Sequence, residues 1–439
     1  MTTTADRPQL KRVLGSAAIG QFVEWYDFVV YAYTATVLAG LFFPAEDRVA
    51  SLLATFAVYA VGFVMRPLGA IFFGHLGDRI GRRNVLSTVI LLMGAATAGI
   101  GLLPTYAQIG VLAPVLLVVC RLVQGASAGA ETTGANSFVA EFSPTGKRGL
   151  YVAFTYAFAN LPAVFAALFV LVLTNAMGPE TFGAWGWRIP FLLGGVLALV
   201  GLYIRLRVDE TPTFKATKAQ DKVERFPLLA ALRDHPKQIF FAFVLAALSS
   251  LGFYTLTGYF VTYLQESVGL DANASLISNS IAMALAFVTM IVAGGLSDRV
   301  GRKKMLIIGA LASAVVAFPA YMLASTGSLL TAILGQGLLA IALCIFFGPF
   351  GVAFLEIFPP KVRFSGAGFG YNLAYVVFGG TAPYVSLWLV DRSGSLLAPA
   401  AYMAVVALAV MVVSFFLPEG RKISDPQVEA SAEETEVRA

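Results

Sequence analysis

The sequence predicts an all-α integral membrane protein of twelve transmembrane helices in two pseudo-symmetric six-helix bundles. Three observations carry that reading. The 439 residues are 58% hydrophobic and only 13% charged, with mean hydropathy +0.79, whereas about a quarter of a soluble domain is charged. Twelve apolar runs are each long enough, at about 20 residues, to cross a bilayer. A cationic, glycine-rich stretch between apolar runs, Gly74-His75-Leu76-Gly77-Asp78-Arg79-Ile80-Gly81-Arg82-Arg83, recurs half a chain later as Gly294-Gly295-Leu296-Ser297-Asp298-Arg299-Val300-Gly301-Arg302-Lys303-Lys304. A repeat of that length means a duplicated architecture.

In chain order the runs are 14–40, 51–73, 85–104, 108–130, 149–175 and 188–206, then 238–264, 273–295, 304–325, 329–355, 364–390 and 398–417. The chain therefore divides into a first bundle (1–206), a charged linker (207–237), a second bundle (238–417) and a polar tail (418–439) expected to be disordered. The first run is too long for a signal-peptide core and contains Glu24 and Asp27, so it reads as a permanent helix. Of 30 Lys and Arg, only Arg48, Arg188 and Arg392 fall at one set of helix ends, and Arg66 and Arg121 within spans. The rest occupy the termini and the even-numbered loops. That bias places both termini in the cytoplasm of a cell inner membrane.

The recurrent stretch reads as a pair of hinges. Gly74, Gly81 and Gly301 permit tight turns. Asp78 and Asp298 can accept from a neighbouring helix N-terminus or a cation. Arg79, Arg82, Arg299 and Arg302 hold the turns on the cytoplasmic side. A second doubled signal follows helices 4 and 10, where Glu141 precedes Arg148 and Glu356 precedes Arg363 with the same spacing. One such pair alone is a loop ion pair of little energetic weight. Two at matching places point to latches between the bundles.

Several classes are excluded or unsupported. Basic residues are spread over loops rather than gathered on a face, so nucleic acid is not a partner. No Gly-x-x-x-x-Gly-Lys-[Ser/Thr] loop exists to couple ATP. Cys120 and Cys344 lie in apolar runs with no metal-ligand spacing. No cofactor, metal or enzymatic constellation is expected, and the protein is read as working as a monomer in the bilayer.

Charge at mid-membrane is costly, about 2.5–3.5 kcal/mol per residue on insertion scales, so such residues face a cavity and pair. All of them fall in the first half: Glu24, Asp27, Arg66, Arg121 and Glu131. Glu24 and Asp27 share a helix face with Gln21, Phe28 and Tyr31. Glu24 and Arg121 each lie roughly 14 Å above the inner surface by helical rise. The expectation is that Arg121 contacts one or both acids in at least one state, and that Glu24, Asp27, Arg121 and Glu131 carry proton coupling. A structural ion pair is the plain alternative. Arg66 serves either a substrate anion or the scaffold. The second half supplies neutral groups at depth, among them Tyr254, Thr255, Thr257, Tyr259, Gln336, Asn372, Tyr375 and Tyr384. Of these, Tyr254, Thr255, Tyr259, Asn372 and Tyr375 join Arg66 and Tyr31 as candidate substrate ligands.

The doubled hinge and the doubled Glu-x6-Arg resemble the major facilitator superfamily. Gln21-Phe22-Val23-Glu24-Trp25-Tyr26-Asp27-Phe28, Met65-Arg66-Pro67-Leu68-Gly69, Arg121-Leu122-Val123-Gln124-Gly125 and Gly186-Trp187-Arg188-Ile189-Pro190-Phe191 are similar to its metabolite:proton symporter family. That family includes permeases for α-ketoglutarate, citrate, shikimate, and proline or betaine. Phe253-Tyr254-Thr255-Leu256-Thr257-Gly258-Tyr259 and Phe378-Gly379-Gly380-Thr381-Ala382-Pro383-Tyr384 most resemble the α-ketoglutarate permeases. Gly129-Ala130-Glu131, Thr155 and Asn160-Leu161-Pro162 depart from their pattern. The resemblance implies proton-coupled import of a small organic anion, a dicarboxylate such as α-ketoglutarate, by alternating access. The alternative within the family is an osmolyte symporter for proline or betaine, or a carrier of shikimate or citrate. Osmosensing members end in a long coiled coil that a tail of this length cannot form. A drug/proton antiporter and a membrane sensor fit less well, given the acids of helix 1 and the lack of a signalling domain.

Overall fold

The computed structural model describes residues 7–80, 82–129, 139, 143, 144, 146–206, 232–358 and 363–417. Each of the twelve predicted runs corresponds to a helix, and among the described residues there is no strand. The helices are α1 (Arg7–Tyr33), α2 (Arg48–Ile80), α3 (Arg82–Leu102), α4 (Leu112–Ala128), α5 (Arg148–Met177) and α6 (Arg188–Leu206). The second half holds α7 (Pro236–Ser267), α8 (Ala272–Val300), α9 (Arg302–Ala324), α10 (Leu329–Glu356), α11 (363–393) and α12 (Ala398–Phe415). Among the described residues, eight helices are long and apolar enough to cross a membrane, and α6 adds a ninth as one arm of a bent pair. Large apolar side chains such as Phe72, Val172, Val292, Val315 and Phe416 stand exposed on their outer surfaces, as a lipid-facing belt requires. We call the face where α2 ends and α8 ends the hinge face, and the opposite one the distal face.

Local chemistry sets the breaks. Helix α1 ends at Thr34, whose hydroxyl donates to Val30 O at 2.8 Å, and the chain resumes as a short helix, Ala35–Phe42. Gly110, at φ +62, separates the turn Tyr106–Ile109 from α4. Within α5, Pro162 has no N–H to give the Phe158 carbonyl. The Leu161 amide takes that carbonyl instead, tightening 158–160 into a 3-10 turn. The Ala157 carbonyl so released accepts from Asn160 Nδ2 at 3.1 Å. Helix α7 carries wide π-type turns at Thr255–Tyr259 and Tyr263–Ser267, and α11 one at Tyr375–Gly380.

Packing without a hydrophobic drive between helices depends on small residues. Helices α2 and α4 touch backbone to backbone: a Cβ on Gly125 would lie 1.7 Å from Gly62 O, and one on Gly129 1.9 Å from Arg66 O. This contact sets Arg66 and Arg121 on facing helices. The halves meet along α5 against α8 and α10, α2 against α11, and α1 against α7.

The second hinge differs from its expectation. Residues 294–300 are helical, continuing α8, and the turn is Gly301 alone, at φ +101. Nothing in Gly-Gly-Leu-Ser-Asp-Arg-Val ends a helix, since isolated glycines weaken one without stopping it. Gly294 is used for close approach, its virtual Cβ falling 2.7 Å from Gly149 O across the boundary between halves. Of the first hinge and its latch, Gly74, Asp78, Arg79, Gly81, Arg82 and Glu141 lie outside the described residues or side chains, as do the 207–231 part of the linker, the tail beyond Leu417, Glu131 and the side chain of Arg363.

Candidate functional site

Arg66 is the centre of the buried interior. It is fully buried on α2, held there by the α2–α4 backbone contact. Its guanidinium carbon lies 5.7 Å from the ring centroid of Trp25, 5.4 Å from Phe28, 5.5 Å from Phe63 and 5.4 Å from Tyr375. Four rings within about 6 Å form a cation–π cage. Tyr254 extends it, its ring 4.9 Å from Phe63, 5.9 Å from Trp25 and 5.8 Å from Tyr375. An Arg66 terminal nitrogen donates to the Tyr254 hydroxyl at 3.4 Å, and another lies 3.5 Å from Glu24 Oε1. The cage therefore draws on α1, α2, α7 and α11, from both halves.

Glycines bring the second half in. A Cβ on Gly379 would lie 2.8 Å from the Tyr254 ring, and one on Gly380 2.7 Å from the Phe63 ring. Both sit in the wide turn of α11, which adds a residue per turn and re-aims side chains, a device frequent at functional sites. Tyr375 opens that turn. Its ring stacks on Tyr371 at 4.0 Å, and both hydroxyls meet Tyr156 of α5 at 3.1 Å.

Arg121 heads a second cluster. Its guanidinium lies 5.2 Å from Phe28, 4.6 Å from Tyr31 and 4.8 Å from Tyr59, so Phe28 separates the two arginines. It donates to Gln124 Oε1 at 3.0 Å and to Tyr59 O at 3.2 Å. Gln124 Nε2 donates to the Thr97 hydroxyl at 2.7 Å. Asp27 lies beside Thr97, facing α6, where a Cβ on Gly194 would be 2.9 Å from its Oδ1.

In this conformation the pairing differs from the direct contact expected in at least one state. Arg121 forms an ion pair with neither acid; Glu24 pairs with Arg66, and Asp27 connects to Arg121 through Thr97 and Gln124. The acids do not share a functional face, because residues three apart on a helix differ by about 60° in direction. That turn is enough for Glu24 to face α2 and Asp27 to face α3 and α6.

Of the predicted ligands, Arg66, Tyr254 and Tyr375 come together. Tyr31 donates its hydroxyl to Thr55 O at 3.0 Å and lies against Arg121 instead. Thr255 is buried in the wide turn of α7, and Tyr259 closes that turn with its ring 5.9 Å from Tyr263. Asn372 donates to Gly368 O on its own helix. Arg188 sits at the distal end, over Trp187 and bonded to Leu103 O, away from the cage. Sequence reasoning did not single out Trp25, Phe63, Tyr59, Thr97, Gln124, Tyr156 or Tyr371. Trp25 and Gln124 lay within motifs quoted for their charged members.

The hinge face carries a further contact between halves. The amides of Gly149 and Leu150, in the first turn of α5, donate to the Asp298 carboxylate at 2.9 and 3.0 Å. First-turn amides have no acceptor within their own helix. Arg148 begins that turn and is buried. Arg302 donates to Asp298 at 2.8 Å and lies 3.4 Å from Glu356. Arg302 thereby ties Glu356 to Asp298 within the second half. Arg299, in the last turn of α8, lies beside this cluster in sequence. On the distal face, Arg48 pairs with Glu266 through two 2.5 Å bonds, and Asn175 and Asn273 exchange amide bonds.

Comparison with known proteins places this geometry. The family description that matches is "Major Facilitator Superfamily", over residues 17–370 and 272–438. The glycine betaine/proline/ectoine/pipecolic acid transporter OusA of Dickeya dadantii (strain 3937) is 35% identical over 427 residues, covering 95% of this chain and 85% of that one. The proline/betaine transporter of Escherichia coli (strain K12) is 34% identical over 430 residues, covering 95% and 85%. Among solved structures, a partially occluded, inward-open form of the xylose transporter XylE from E. coli superposes with a TM-score of 0.74 at 18% identity, covering 93% of this chain and 98% of the other.

Proposed function

We infer what this chain carries from the premise that it belongs to the major facilitator superfamily of membrane transporters. The cargo is a small zwitterion of the proline or betaine kind, taken up with protons across the cell inner membrane, with both chain termini and the hinge face in the cytoplasm. The observation that carries this reading is an aromatic cage that contains a cation and adjoins a carboxylate. Such cages are a known solution for quaternary ammonium groups, and Arg66, the cation within it, offers a carboxylate a two-pronged partner. Charge balance supports the same class. Among the described residues of this interior, Glu24 and Asp27 offset Arg66 and Arg121. A zwitterion enters without disturbing that balance, whereas a dicarboxylate brings two negative charges to a desolvated site that has no spare cation.

The dicarboxylate reading, with its citrate and shikimate neighbours, is therefore replaced by the osmolyte alternative, in line with the names of the relatives. In the same reading, Asp27 is the proton-carrying acid and Arg121 its electrostatic partner, joined through Thr97 and Gln124. The relevant measurement is uptake of radiolabelled glycine betaine and proline into proteoliposomes, with and without an inward proton gradient. The panel of competitors is α-ketoglutarate, citrate and shikimate. Gradient-driven accumulation of either zwitterion, untouched by the acids, is the expected result. Uptake of α-ketoglutarate with no uptake of proline or betaine refutes the assignment.

A further inference from the structure

We propose that Arg66 is the cage's built-in occupant, and that the cationic head of the substrate exchanges with its guanidinium for the same rings. The inference rests on the zwitterion reading above. In this structure the guanidinium, not a ligand group, lies among Trp25, Phe28, Phe63 and Tyr375, all between 5.4 and 5.7 Å. A quaternary ammonium needs the same ring faces and has no N–H with which to bond elsewhere. A guanidinium has five donors and is satisfied equally well by a carboxylate.

The exchange keeps every buried charge compensated. Before it, Arg66 is paired with Glu24 at 3.5 Å. After it, the guanidinium holds the substrate carboxylate, and the substrate cation sits among the rings beside Glu24. Two ion pairs replace one, and no lone charge is left in a low-dielectric interior, which is the arrangement that costs most. The exchange also makes recognition strict. A cation without a carboxylate gives Arg66 nowhere to go, and an anion without a cation leaves Arg66 in the cage, turned away from it. Arg66 is thus a specificity residue that rejects half-substrates by occupying their place.

The test uses tetramethylammonium, which has the cationic head and no carboxylate. It is titrated calorimetrically into the purified full-length wild type, Arg66→Gln and Arg66→Lys, each first checked for a cooperative melt. Removing the competitor in Arg66→Gln is expected to tighten tetramethylammonium at least tenfold while weakening glycine betaine at least tenfold. Arg66→Lys, which keeps a tethered cation, is expected to leave tetramethylammonium weak. The same gain must persist when Arg66→Gln is added to a Glu24→Gln parent, which separates ring competition from attraction of the probe by a Glu24 carboxylate that has lost its arginine; Arg66→Lys controls for the positive charge itself. Unchanged or weaker tetramethylammonium binding in a folded Arg66→Gln overturns the proposal. Should that variant not fold, arginine-labelled wild type gives the answer by nuclear magnetic resonance. Its ring-shifted Arg66 signal, identified by its loss in Arg66→Lys, must move when glycine betaine is added, and an unmoved signal at saturation overturns the proposal. Failure of the zwitterion reading looks different: the wild type binds neither betaine nor proline, while the gain in tetramethylammonium binding on removing Arg66 remains measurable.

Discussion

Asp298→Asn is the substitution that most directly weighs the contact between halves at the hinge face. The wild-type carboxylate accepts from Gly149 and Leu150 at 2.9 and 3.0 Å, with its side chain 5% exposed. It belongs to α8, whereas its two donors open α5 in the other half, so the bonds exist only while the hinge face is closed. Hydrogen bonds to a charged group contribute about 1.5–3 kcal/mol each, and a negative charge at a helix N-terminus adds roughly 0.3–2 kcal/mol. Asparagine is isosteric and keeps one acceptor oxygen, so one neutral bond survives. The net loss is then about 2 kcal/mol, charged entirely to the closed state. A shift of that size moves the open-to-closed ratio about thirtyfold. Spin labels on the hinge-face ends of α5 and α8, read by double electron–electron resonance, report the populations. The distribution is expected to move toward longer distances in Asp298→Asn. Arg302→Gln is the control, since the three contacts described for its side chain, Ser297 O, Asp298 and Glu356, lie within the second half. The reasoning fails if Asp298→Asn melts like wild type and leaves the distances unchanged, or if Arg302→Gln shifts them as far.

Three further outcomes follow from the geometry. Gly125→Ala places a methyl 1.7 Å from Gly62 O, forcing α2 and α4 apart at about 3 kcal/mol or more; thermal melts should show it, with Gly40→Ala, where nothing lies within 4 Å, as the neutral comparison. Glu266→Gln removes the distal ion pair, and because Arg48 is 70% exposed the expected shift in distal label distances is worth at most about 1 kcal/mol and vanishes in wild type at high salt. Asp27→Asn should abolish accumulation driven by a proton gradient while substrate exchange across the membrane persists; retained accumulation moves the coupling role to Glu24 or Glu131.

What the sequence discloses, and what it withholds, follows one physical line. Charged residues inside apolar runs are rare enough to stand out, so Glu24, Asp27, Arg66 and Arg121 are legible as the polar interior. Counting residues from a helix end gives height along the membrane normal, because rise per residue is fixed. It does not give rotation about the axis, which the backbone contacts of Gly62 with Gly125 and of Arg66 with Gly129 decide. That is why Glu24 and Arg121, at equal predicted height, are not partners. The cage was hidden for the opposite reason. In a chain with 35 Phe and 16 Tyr, Tyr254 and Tyr375 stand out only as polar groups at depth, and Trp25, Phe63 and Tyr375 become a set only when α11 packs on α2. The doubled Asp-Arg stretch was visible, but its continuation as helix, and the reach of Asp298 to α5 rather than to its own loop, depend on where another helix begins.

The two ends of the boundary between halves are built from unequal materials, and that inequality has a consequence for transport. At the hinge face, the link is a carboxylate nearly excluded from water, holding backbone amides that have no acceptor within their own helix. Toward the distal face, the links are an ion pair with a largely exposed arginine, the exchange of amide bonds between Asn175 and Asn273 at 3.0 and 3.4 Å, and beneath them one buried neutral bond from the Tyr33 hydroxyl to Asn279 Oδ1. Water replaces the partners of the exposed distal contacts at little cost, because exposed pairs hold at most about 1 kcal/mol. The neutral Tyr33–Asn279 bond adds about 0.5–1.5 kcal/mol, less than two bonds to a carboxylate. Water replaces the partners of Asp298 only once the whole face has parted. From a state with both links made, opening toward the distal side is therefore the smaller step. In the proposed topology, with the hinge face cytoplasmic, that step gives the outward-open state in which the proposed importer would meet its cargo. The proposed Arg66 exchange would act across the same boundary, since it alters contacts of Trp25 and Phe63 in the first half and of Tyr375 in the second.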